Sequence, residues 1–192
     1  MSLQVLCDNI EIVYRVIIKV ILEPHGVSIV DWSLKVYETV VVVATNPDLS
    51  DCILCVYNCI VNTIATNTQD ASIADSLATV LPTFFQQATP KAETILPHIL
   101  NTLVSLSPSV FTKWLVPQYT ALITDLQKPD LEFHIALLKT LSENHSDMVT
   151  DLLHQMVTLI LQQYVSQQVD CMMCRHIIAF FNLLCRFYPY II

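Results

Sequence analysis

Apolar positions recur every three to four residues along most of the chain. Leu6, Ile10, Val13, Ile17 and Val20 step in this way. So do Leu131, Ile135, Leu138 and Leu141, and Val149, Leu152, Leu153, Met156, Val157 and Ile160. That period lines one side of a 3.6-residue helix, whereas a half-buried strand would alternate every second residue. The pattern predicts about nine helices, over 3–22, 28–45, 49–67, 72–87, 91–106, 109–127, 130–143, 147–165 and 168–187. The β-branched run Val40–Val43 lies inside the second segment and is assigned to helix with it.

The residues between segments look like helix starts. Ser28-x-x-Asp31 and Ser72-x-x-Asp75 place a hydroxyl three residues before a carboxylate, a variant of the capping box. Asn46-Pro47, Thr89-Pro90 and Ser107-Pro108 place a capping side chain before a proline. Proline suits the first helical position because the N–H there has no intrahelical partner. Pro24 and Pro129 also fall at junctions, while Pro82, Pro97 and Pro117 fall inside apolar stretches and predict a kink or a late start.

Composition narrows the class. The chain has 192 residues, 54% hydrophobic and only 14% charged, with a single glycine. So apolar a chain is not disordered. Scarce glycine argues against β-rich folds, whose hairpins and bulges need it, and excludes glycine-rich phosphate loops and the G-x-S-x-G nucleophile elbow. The net charge is −8, and no basic run occurs; Arg15 and Lys19 are the closest pair of cations. Phosphate-backbone binding needs clustered cations, so nucleic acid is not the expected partner. The acidic balance favours basic protein partners instead.

A mean hydropathy of +0.55 raises the membrane question. Two stretches lack charge for long enough to consider, Cys52–Gln69 and Thr94–Thr112. The first is interrupted by Asn58, Asn62, Thr63, Thr66 and Asn67, the second by Pro97, His98, Asn101, Ser105, Ser107 and Pro108. A spanning helix needs about 20 predominantly apolar residues, so neither is expected to cross a bilayer. No Lys/Arg asymmetry sets an orientation. The first residues carry Asp8 and Glu11 where a signal peptide would carry cations. With seven cysteines, an odd number at helical spacing, a reducing cytosolic or nuclear compartment is expected.

The helix starts are spaced 17 to 23 residues apart, so two successive helices occupy roughly 40 residues. Helix pairs at this period are the signature of an α-solenoid. The phrases Ile95-Leu96-Pro97-His98-Ile99-Leu100 and Trp114-Leu115-Val116-Pro117-Gln118-Tyr119 are similar to the Leu-Pro-x-hydrophobic phrase of HEAT and armadillo repeats. With this punctuation the chain resembles the HEAT/armadillo class and, more specifically, importin-β-like nuclear transport receptors. The resemblance implies an all-α fold, a right-handed superhelical stack of antiparallel helix pairs. It also implies a scaffold that binds protein cargo. The expected organisation is one helical repeat domain over 1–192. The apolar tail Phe187–Ile192 and the dense block Val16–Leu22 lead us to expect a section of a longer array, its ends covered by flanking repeats or another chain.

Chemically distinctive residues have simpler structural readings. Cys171-x-x-Cys174 with His176 and Cys185, or Cys52-x-x-Cys55-x-x-x-Cys59, could contribute to a tetrahedral zinc site. Both clusters lie within helical patterns, and a free cysteine packs as a small hydrophobe, so core packing is expected and no metal or cofactor. The histidines, at 25, 98, 134, 145, 154 and 176, form no His-x-x-x-His or His-x-His pairing. Asp130/Glu132 and Asp147/Asp151 lie near helix starts, where negative charge complements the helix dipole better than it suggests acid–base catalysis. Asn144-His145-Ser146 matches a glycosylation sequon but falls at a helix junction. Trp32, Tyr37, Tyr57, Phe84, Phe85, Trp114 and Tyr119 could anchor a partner peptide, but they fall at helical spacing and the core is the expected place for them.

The expected function is non-enzymatic: a helical stack that offers a groove to a peptide or partner helix, with no catalytic, cofactor or metal residues assigned. The alternative is a compact helical bundle that binds a membrane or an apolar ligand.

Overall fold

The computed structural model describes residues 3–86, 89–124, 131–166 and 171–189. Pro129, Asp130 and the tail beyond Pro189 lie outside the described residues, as do the side chains of Leu6, Cys7, Cys171 and His176. Among the described residues the fold is all-α, with nine helical segments and no strand. They are α1 (Leu3–Val16, continued by a π turn, Ile17–Leu22), α2 (Ile29–Val43), α3 (Ser50–Asn67), α4 (Ala71–Leu77, then a 3-10 turn and Leu81–Phe85), α5 (Pro90–Leu106), α6 (a π turn, Phe111–Leu115, then Val116–Thr124), α7 (Leu131–Ser142), α8 (Ser146–Ser166) and α9 (Cys171–Phe187). Val40–Val43 is helical, as expected. The chain forms two compact units, Met1–Val110 and Phe111–Ile192.

In the first unit α3 is the central helix, packed against α1, α2 and α5. Ile60, Val61 and Ile64 are fully buried. The run Pro47–Asn67 is the one described helix long and apolar enough to cross a membrane by length and composition; half of that window is buried against the unit's other helices.

The helix starts follow local chemistry. Ser28 Oγ accepts the Asp31 N–H, Asn46 Oδ1 the Asp48 N–H, and Thr89 Oγ1 the Ala92 N–H, as their sequence signatures require. At α4 the expected start is displaced. Asp70, not Ser72, is the cap: its Oδ1 accepts from both the Ser72 N–H and the Ser72 hydroxyl. The Ser107 hydroxyl pairs with the Ser109 hydroxyl instead of opening a helix. The only glycine, Gly26, adopts φ 64° and ends the first helical run, with the Val27 N–H bonded to the Leu22 carbonyl. That left-handed position is the one where glycine has an advantage.

The Asp70 cap gives a pH signature. Hydrogen bonds from Ser72 hold the carboxyl below its ordinary value. A lowered folded-state pKa contributes stability that is full above the unfolded value and lost as pH falls through the folded one. Asp70→Ala is therefore expected to melt below the wild type at neutral pH, and the two melting temperatures to converge in acid; calorimetry across pH 2 to 7, roughly the span of such carboxyl titrations, checks this.

Pro82 shapes α4. Lacking an N–H, it cannot continue an α ladder, and the chain takes a 3-10 turn at Ala78–Val80 with the Leu81 N–H turned to the Ala78 carbonyl. The Leu77 carbonyl is thereby released and accepts from the Tyr57 hydroxyl at 2.7 Å and the Tyr37 hydroxyl at 3.0 Å. Tyr57 also stacks on Phe84 at 5.4 Å between ring centroids. Pro97 sits within an unbroken α5, and Pro117 follows a π turn.

In the second unit α8 packs on α6 and α7, and α9 packs on α7. Leu131, Ile135, Leu138 and Leu141 are all buried, as are Val149, Leu152, Leu153, Met156 and Ile160. Both stripes face inward as their periods predict. Within α9, Phe180 and Leu184 are fully buried, one turn apart. Glu132, expected to serve the dipole of α7, bonds Arg186 at 3.0 Å.

Candidate interaction surface

α1 departs from the sequence expectation. Ile10 and Ile17 do turn inward, but Val13 and Val20, expected on the same buried face, are 55% and 63% exposed. Tyr14 explains the rotation. Its hydroxyl donates to Ser33 Oγ at 2.9 Å, and its ring lies 5.0 Å from that of Trp32 on α2. A tyrosine with its hydroxyl satisfied deep in the unit fixes which side of α1 faces in. The helix is apolar on both sides, so one side is left to solvent. Ile12, Val13, Val16 and Val20 make a continuous outward stripe, all at least half exposed.

Six of the twelve large hydrophobic residues exposed among the described residues belong to this one element. Single exposed hydrophobics such as Leu161 on α8 or Ile178 on α9 are ordinary on protein surfaces; a contiguous stripe marks an interaction site. The π turn at Ile17–Leu22 adds to the picture. Such turns within helices concentrate at functional sites.

Beside the stripe lies an open apolar groove of about 260 Å³, between α1 and α3, lined by Ile10, Val13, Tyr14, Ile17 and Val56 with Asn9 at its edge. On the other side of Tyr14 is a smaller polar groove of about 90 Å³, bounded by Glu11, Arg15, Asn58, Asn62 and Thr63 with Cys59 at its base. Glu11 pairs with Arg15, and Lys19 with Glu23 at 2.9 Å, both one turn apart along the exposed helix.

Two groups of the polar groove are held in their neutral forms at neutral pH, Cys59 and Tyr14. Burial pushes the Cys59 thiol up to about 11, with the Glu11 carboxylate adding to the effect and Arg15 opposing it. Burial likewise pushes the Tyr14 hydroxyl up to about 12, against the lowering effect of its bond to Ser33. The thiolate is the reactive form of cysteine, so a thiol held neutral is a packing residue.

The other sequence-selected residues do not converge on a site. Cys52, Cys55 and Cys59 are buried along α3; Cys52 and Cys55 pack with Ile10 and Ile95. Cys174 is half-buried and Cys185 exposed. Among the described residues, no group of three or more His, Cys, Asp or Glu side chains could hold a metal ion. His134 is buried, its ring edge-on to Tyr119 at 5.6 Å, whereas His98 is exposed. Tyr37, Tyr57, Phe84, Phe85 and Tyr119 are in the core, with Trp32 and Trp114 half-buried at its edges. Two acids tie segments together, Asp51, which sequence reasoning passed over, and Asp75, which it read as part of a capping box: Asp51 accepts from Thr89, and Asp75 from Ser109, both at 2.6 Å. Neither tie has a local motif, because the partner is more than thirty residues away.

No family model, curated protein or solved structure matches the chain.

Proposed function

We propose that this chain is a non-enzymatic helical scaffold that docks a partner protein on the exposed apolar face of α1. The observation that carries the reading is the stripe Ile12, Val13, Val16 and Val20, left in water beside an apolar groove. Full burial of such a side chain is worth roughly 1.5–3 kcal/mol, and these are about half exposed, so each has about half of that to gain. A partner helix laid along the stripe would be held chiefly by apolar contact.

The wider architecture proposed is an α-solenoid of the HEAT/armadillo kind, one repeat domain of antiparallel helix pairs. Its support is that helices two apart touch within each unit: α1 with α3 and α3 with α5 in the first, α6 with α8 and α7 with α9 in the second. Stacked helix pairs place like helices side by side in this way. A segment of a nuclear transport receptor, working between cytoplasm and nucleus, is the most concrete form of such a scaffold. Its support is the two Leu-Pro phrases, at Leu96-Pro97 and Val116-Pro117 with its preceding Leu115.

Val16→Lys is the testing substitution, because Val16 is exposed and the change should leave the fold intact. Affinity purification of wild type, Val16→Lys and the control Ile178→Lys, with quantitative mass spectrometry, is expected to show partner proteins lost only with Val16→Lys. Equal recovery with all three would contradict the reading. Sedimentation with phosphatidylcholine/phosphatidylserine vesicles that depends on Val16, with no dependent protein, would favour the membrane alternative.

A further inference from the structure

We draw no further inference here: the strongest candidate, the apolar groove between α1 and α3 lined by Ile10, Val13, Tyr14, Ile17 and Val56 together with the exposed stripe beside it, belongs to the docking surface already described, and nothing in the structure shows what covers it.

Discussion

Tyr57→Ala is expected to destabilise the first unit by about 3–5 kcal/mol, the range for removing a buried aromatic ring. Tyr57 is fully buried on α3, stacked on Phe84 and 6.0 Å from the Tyr37 ring. Its hydroxyl serves the Leu77 carbonyl that the Pro82 turn released. Truncation therefore removes the ring that joins α3 to α4 and the hydrogen bond together. Against a net stability of about 5–15 kcal/mol, the loss is a large fraction of the whole. Tyr57→Phe keeps the ring and is expected to cost only about 1 kcal/mol, since one neutral hydrogen bond is at stake. Tyr37 does not make up the difference: its single O–H is shared among Ser76, Leu77 and Thr79. Urea denaturation of the two variants checks both values, and equal losses would show that the ring contributes little beyond its hydroxyl.

Phe180→Ala is expected to have the largest effect in the second unit, again about 3–5 kcal/mol. α9 is held through Phe180 and Leu184, whereas Ile178, Cys185 and Arg186 face solvent. Two further ties are weak: Arg186 to Glu132 is exposed on both sides, a pair that contributes about 0–1 kcal/mol, and Lys139 lies 5.5 Å from the centroid of the Phe187 ring. Without Phe180 the helix keeps one strong anchor. Limited proteolysis should then cut within 171–187 well before the rest of the chain, whereas cleavage spread evenly over the unit would show that α9 does not open by itself.

The sequence pattern disclosed the fold class because most helices are apolar on one side only. In α7 and α8 the polar residues leave a single inward face, and Leu138, Leu141, Leu152 and Leu153 occupy it. α1 differs. Apolar residues lie on both its sides, so a period cannot say which side is covered. The choice falls to Tyr14, whose partner Ser33 is nineteen residues away on another helix. The candidate surface was illegible for the same reason. The α4 cap was misplaced by two residues because Ser72 and Asp70 both cap well, and the geometry favours Asp70, which bonds both groups of Ser72. The carbonyl–tyrosine cluster had one visible cause, Leu81-Pro82, but which hydroxyls reach the freed Leu77 carbonyl depends on helix packing.

Hydrogen exchange followed by mass spectrometry, on the free chain and on the chain bound to a partner protein that Val16→Lys loses, tests the role of α1 most directly. With α1 as the docking face, peptides covering residues 5–22 should gain protection in the complex, while those from α2 and from 171–187 stay unchanged. Protection spread evenly over the chain, or confined to helices other than α1, would contradict the account.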